Sequence, residues 1–120
     1  KINWLSVASS ASGQYLVAGS VSSGMYTSND YGVTWVMTPN TANIYWTSVA
    51  SDATGQYLIA SAYTSFAYTS TDYGATFVST QQTVGSSVCS DSSGANLAAS
   101  GDATSINNVI LSSNFGALWA

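Results

Sequence analysis

Arginine, histidine and glutamate are absent from this chain of 120 residues, and Lys1 is its one basic residue. Its acids are Asp30, Asp52, Asp72, Asp91 and Asp102, which leave a formal net charge of −4 at pH 7. A chain with no basic patch has no electrostatic means of holding a phosphate backbone, so nucleic acid is excluded as a partner. No apolar run approaches the ~20 residues that span a bilayer, so membrane insertion is not expected. Cys89 is the single cysteine; it allows no internal disulfide and leaves the redox compartment open. With no histidine to act as its base, Cys89 reads as a small core residue rather than a nucleophile. The lack of histidine and of clustered carboxylates also argues against a metal centre, and no cofactor is expected. The chain begins without Met and reads as a piece of something longer. Serine and threonine abound and no Asn-x-Ser/Thr sequon occurs. The surface is therefore expected to be neutral and hydroxyl-rich, suited to O-linked sugar or to packing against copies of itself, and this favours a secreted or cell-surface location.

What the chain does contain is a repeat. Ser28-Asn29-Asp30-Tyr31-Gly32-Val33-Thr34-Trp35 returns as Ser70-Thr71-Asp72-Tyr73-Gly74-Ala75-Thr76-Phe77. It returns again, worn, as Ser112-Ser113-Asn114-Phe115-Gly116-Ala117-Leu118-Trp119, with successive copies 42 residues apart. Trp4-Leu5-Ser6-Val7-Ala8 recurs as Trp46-Thr47-Ser48-Val49-Ala50, and Gly13-Gln14-Tyr15-Leu16 as Gly55-Gln56-Tyr57-Leu58. In the third unit Val88-Cys89-Ser90-Asp91 matches Val49-Ala50-Ser51-Asp52 at a spacing of 39, so Cys89 stands where Ala8 and Ala50 stand. A longer connection between Gly101 and Asn108 then restores the period, and length changes of this kind cost little in loops.

Each unit reads as four short strands rich in Val, Ile, Tyr, Thr and Trp, separated by turn residues. In the second unit the strands are expected near Thr47–Ser51, Tyr57–Ala62, Phe66–Ser70 and Thr76–Thr80. No segment carries a sustained helical period. Tyr57-Leu58-Ile59-Ala60 is a continuous apolar run, as in a strand covered on both faces. A repeated four-stranded unit of ~40–45 residues is the signature of a β-propeller blade. The expected fold is all-β: a β-propeller segment of about three four-stranded antiparallel blades. Residues 1–120 form one partial propeller, with blades at about 4–45, 46–84 and 85–120, and with the eight-residue phrase as the turn between third and fourth strands.

That phrase resembles the Asp-box, or BNR repeat, of pattern Ser-x-Asp-x-Gly-x-Thr-Trp. Ser28, Asp30, Gly32, Thr34 and Trp35 match it fully. The second copy keeps Ser70, Asp72, Gly74 and Thr76 but carries Phe77. The third keeps Ser112, Gly116 and Trp119, with Asn114 and Leu118 in place of Asp and Thr. Sialidases, sortilin-type receptor ectodomains and photosystem assembly factors contain such repeats, so the resemblance implies a propeller and no particular activity. The residues have a local reason of their own. An Asp that opens a tight turn accepts backbone N–H bonds, the Gly supplies a positive φ, and the aromatic anchors the fourth strand between blades. Asn114 can form the same turn without charge, which weakens a shared metal-binding role.

Catalysis is not expected. The sialidase resemblance would require an arginine cluster and a tyrosine nucleophile with a glutamate partner, and the chain has neither Arg nor Glu. Other glycosidases need two carboxylates flanking one bond. Here Asp30 and Asp72 belong to the boxes, Asp52 and Asp91 to equivalent Ser-Asp-x-x-Gly turns, and Asp102 to the long connection. The expected role is a structural or adhesive module that assembles with copies of itself or with further blades of the same polypeptide. The alternative is a carbohydrate-binding propeller lectin, with glycans as partners. A third reading is a fragment of a glycoside hydrolase whose active site lies in other blades. Most aromatics recur at equivalent positions and read as blade packing. Tyr45 and Tyr63 do not recur, and with the loop residues Asn43, Asn107 and Asn108 they are the candidate ligand-binding set.

Overall fold

The computed structural model describes residues 1–63, 66–102 and 109–120. The first sheet runs β1 (Trp4–Ser9), β2 (Leu16–Ser20), β3 (Met25–Ser28) and β4 (Val36–Met37). The second runs β5 (Trp46–Ser51), β6 (Leu58–Ala62), β7 (Phe66–Ser70) and β8 (Val78–Thr83). The third holds β9 (Val88–Ser90), β10 (Leu97–Ser100) and β11 (Val109–Ser112). Strands pair antiparallel in chain order within every sheet. Ala120 exchanges both backbone hydrogen bonds with Leu111, each at 2.9 Å, and so takes the first rung of a fourth strand in the third sheet. This is the propeller arrangement expected from the repeat. The last strand of the second sheet differs: it starts at Val78 rather than Thr76, because Thr76 is held inside the preceding turn by Asp72.

The sheets pack face to face as an arc of 42 × 30 × 18 Å, with β1 beside β5 and β5 beside β9. A bulge in β5 between Trp46 and Ser48 inserts one extra residue. It brings Trp46 and Val49 to one face, where a regular strand would send them to opposite faces. There they join Leu58, Ala60 and Ala62 against Val17 and Met25 of the first sheet. The opposite face of the second sheet puts Ile59, Ala67 and Ala50 against Val88, Leu97, Ala99 and Trp119. β6 is thus buried on both sides, which explains its unbroken apolar run. Each core lies between two sheets, so every blade depends on its neighbour for burial.

Among the described residues, each end blade has a neighbour on one face only. Trp4 is 48% exposed where its counterpart Trp46 is 1% exposed, and Val7, Trp35 and Leu5 are exposed beside it. At the other end Val109, Leu111 and Cys89 are exposed. Cys89 is therefore not the core residue expected from its alignment with Ala50. Ala50 faces the third sheet, and among the described residues no sheet covers the equivalent face of β9.

Candidate functional site

The eight-residue turn is built in nearly the same way three times. In the first copy, Ser28 Oγ donates to Asp30 Oδ1 at 2.8 Å and accepts from the Gly32 N–H at 2.9 Å. Asp30 Oδ1 also accepts the Thr34 N–H at 2.8 Å, and Oδ2 takes the Thr34 hydroxyl at 2.6 Å. Trp35 Nε1 closes the turn on the Gly32 carbonyl at 3.1 Å. Ser70, Asp72, Gly74 and Thr76 repeat these side-chain bonds within 0.1 Å, while Phe77 has no donor to close the turn. In the third copy Asn114 Oδ1 accepts from Ser112 Oγ at 3.0 Å and from the Leu118 N–H at 2.9 Å, and Trp119 Nε1 reaches the Gly116 carbonyl at 3.0 Å. The glycine is not alone in the left-handed region. Tyr31, Tyr73 and Phe115, which precede it, have φ of 61°, 59° and 58°. Sequence reasoning missed this, since aromatic side chains seldom adopt that conformation. Gly74 also needs its hydrogen for space: a Cβ there would come within 2.5 Å of the Thr27 side chain.

These carboxylates are occupied, and their acidity reflects it. The Thr34 hydroxyl and N–H, with Ser28, hold Asp30 below the usual carboxylate range. Partial desolvation pushes Asp72 up, but the bonds from Thr76 and Ser70 outweigh it and the net shift is downward. The Asn96 amide and Ser93 lower Asp91. Each lowered value means that the native state favours the ionised form. The corresponding stability is complete above the unfolded value of 3.8 and is lost as pH falls through the folded values. Denaturant melts across pH should therefore be level near neutrality and fall below about pH 4, and less steeply in an Asp30→Asn/Asp72→Asn double variant. A melt that held its midpoint to about pH 2 would contradict this linkage. At neutral pH, Asp72→Ala should cost about 1 kcal/mol in urea denaturation, and Asp72→Asn much less, because Asn114 already forms the turn without charge. Loss of a ligand or metal with an unchanged melt would overturn the turn-forming role.

The buried acid is Asp52, at 2% exposure. Its Oδ1 accepts the Gly55 and Tyr57 N–H groups at 2.8 and 3.1 Å, and its Oδ2 takes the Thr54 hydroxyl at 2.6 Å. Asp91 repeats the arrangement with Ser93 and Asn96, and in the first unit Ser10 stands in their place. Among the described residues, no three His, Cys, Asp or Glu side chains form a group suited to a metal ion.

Of the candidate ligand-binding residues, Tyr45 and Tyr63 come together. The Tyr63 N–H donates to the Tyr45 carbonyl at 2.8 Å, and their exposed rings lie 5.6 Å apart at 50°. The signal was in the repeat: Val21 and Asn3, at the equivalent positions, share the same backbone bond at 3.1 Å. Asn43 is exposed in the same connection, with its N–H on the Ser22 carbonyl at 3.2 Å. Asn107 and Asn108 lie outside the described residues. A second feature was not foreseen. Tyr15, Thr27, Asn29 and Thr34 of the first blade and Asp72 and Tyr73 of the second line a groove of about 440 Å³. The Tyr15 and Tyr73 rings meet within it, tilted by 37° with their centroids 4.6 Å apart.

The sequence matches no protein-family model and no curated protein. Its fold is similar to that of a GH74 enzyme from Niastella koreensis, with TM-score 0.77 and 22% identity over 98% of this chain and 17% of that one. It is also similar to YCF48 bound to D1 peptide, with TM-score 0.75 and 11% identity over 98% of this chain and 40% of that one. A chain of a nidogen/laminin complex gives TM-score 0.70 and 9% identity, over 98% and 46%. This chain spans less than half the length of each. At these identities the likeness establishes the fold, a β-propeller segment, and leaves activity open.

Proposed function

We propose that this chain is a non-catalytic structural or adhesive module of a secreted or cell-surface protein, an Asp-box propeller segment that assembles through its blade faces. The observation that carries this reading is the state of the carboxylates. Asp30, Asp52, Asp72 and Asp91 are each engaged by side chains and backbone N–H groups of their own turn. The three with resolved shifts are stabilised as anions. A general acid needs the opposite tuning. The propeller likeness to a GH74 enzyme keeps a third reading in view, a glycoside hydrolase fragment whose active site lies in other blades.

A propeller lectin is the second reading, favoured by the exposed Tyr45–Tyr63 pair, since aromatic faces stack on sugars. A glycan array together with aryl-glycoside hydrolysis separates the three. The purified chain is expected to give neither saturable sugar binding nor turnover. Sugar-specific binding abolished by Tyr63→Ala would establish the lectin. Turnover by a preparation free of contaminating hydrolase, and lost in Asp102→Asn, would overturn the non-catalytic assignment.

A further inference from the structure

Two blade interfaces exist inside the chain, and they use the same contacts. At the first, the Val49 N–H donates to Ser6 Oγ at 3.0 Å, and the Ala11 N–H donates to the Ala53 carbonyl at 2.8 Å. At the second, the Val88 N–H donates to Ser48 Oγ at 3.3 Å, and the Ala53 N–H to the Ser92 carbonyl at 3.0 Å. Tyr15 presses on Gly55 so closely that a Cβ there would lie 2.6 Å from its own, and Tyr57 presses on Gly94 at the same 2.6 Å. The same two tyrosines meet the turn aromatics of the next blade in tilted contacts, Tyr15 with Tyr73 at 4.6 Å and Tyr57 with Phe115 at 4.8 Å.

The open faces at the two ends are the separate halves of this interface. On the first blade Val7 holds the place of Val49 and Val88, Tyr31 that of Tyr73, and Gly13 that of Gly55. Nothing lies within 4 Å of a Cβ built on Gly13. On the third blade Ser87 holds the place of Ser6 and Ser48, the Ser92 N–H that of Ala53, and Asn96 that of Tyr15 and Tyr57. Exposed apolar groups accompany both halves: Trp4 and Trp35 on one, Val109 and Leu111 on the other. Asp91 also lies on the third blade's half, where Ser10 and Asp52 approach Gly55 and Gly94 inside the chain to 3.2 Å of a built Cβ. Its counterparts on the first blade, Gly13 and Ser10, carry no charge, so the docked register opposes no like charges.

We propose that the open face of the third blade docks on the open face of the first blade of a second copy, in the register of the internal interfaces. The Val7 N–H of one copy donates to Ser87 Oγ of the other, the Ser92 N–H donates back to the Ala11 carbonyl, and Asn96 lies over Gly13. The contact is head-to-tail, so it closes into a ring or propagates as a filament according to the accumulated rotation. This rests on the self-assembly reading above and names its contact.

Three variants test it. Val7→Asp alters only the first face, at a residue 67% exposed in the single chain, and Leu111→Asp alters only the last, at one 58% exposed. Gly13→Asn fills the empty space with a residue that tolerates positive φ. Sedimentation from roughly 1 μM to 1 mM, spanning weak to moderate dissociation constants, should show masses above the 12.4 kDa monomer for the parent. Each aspartate variant alone should be monomeric and should melt as the parent monomer does, with association weakened about a hundredfold or more by an unpaired buried carboxylate. Mixed together, the two should form a one-to-one dimer and nothing larger, because each retains the face the other needs. Cys89 should alkylate more slowly in the parent assembly than in either variant. A parent monomeric across the range would sink both this contact and self-assembly, and would leave the faces to further blades of a longer polypeptide. A parent that assembles, with both Val7→Asp and Leu111→Asp assembling at parental strength, would sink docking through these faces. Both aspartate variants monomeric with Gly13→Asn without effect would sink the register alone. Self-association of Leu111→Asp at parental strength with Val7→Asp monomeric would show a contact between two first-blade faces instead.

Discussion

Trp46→Ala should lower unfolding stability by about 3–5 kcal/mol, the cost of removing a large aromatic from a packed core. Trp4→Ala, at the equivalent position, should cost the monomer only about 1 kcal/mol, the worth of one aromatic contact. Trp46 fills the space between the first and second blades. It packs against Tyr68 at 5.0 Å and Phe77 at 5.9 Å, and its Nε1 donates to the Thr41 carbonyl at 3.0 Å. Gly19 opposes it, with room for a Cβ only at 3.0 Å from the Trp46 side chain, so no larger residue stands ready to fill the void. Trp4 keeps its edge contact with Tyr26 at 5.1 Å but leaves its other side to solvent. Urea denaturation of both variants under monomeric conditions measures the difference. Equal losses would mean that blade-to-blade burial is not what stabilises this fold.

Asp52→Ala is the second large effect, expected at about 2–3 kcal/mol. It strands the Gly55 and Tyr57 N–H groups and the Thr54 hydroxyl beside a buried position, and unsatisfied donors of that kind cost about 1–3 kcal/mol. Asp52→Ser should recover part of the loss. Ser10 occupies the same position in the first blade and accepts the Tyr15 N–H through its Oγ at 3.1 Å. The expected order of urea midpoints is parent, Asp52→Ser, Asp52→Ala. A midpoint for Asp52→Ala equal to that of the parent would show that water satisfies those donors and that the turn does not depend on the carboxylate.

The strand order and the turn chemistry were legible because they are local. Asp30 binds Thr34 within its own turn, and nothing beyond that turn is needed to form it. The positive φ of Tyr31, Tyr73 and Phe115 was not legible, because an aromatic enters the left-handed region only when the turn's hydrogen bonds outweigh its steric cost. The bulges at Leu5 and Thr47 were also hidden. A reading of strict alternation would have sent Trp46 and Val49 to opposite faces.

The Tyr45–Tyr63 pair shows the boundary from the other side. Both residues stood out in the sequence because they break the repeat, but only the β5–β6 ladder, extended by one rung, sets their rings 5.6 Å apart. Period and residue type therefore determined the blades, their strand order and the turns that join the strands, since those depend on neighbours along the chain. Tertiary structure alone decided what becomes of each repeated residue. Trp4 and Trp46, Cys89 and Ala50, and Gly13 and Gly55 hold matching positions, yet differ in exposure or in the space around them. The difference lies in the facing blade, because burial belongs to the contact between sheets and is written in neither sheet's sequence by itself.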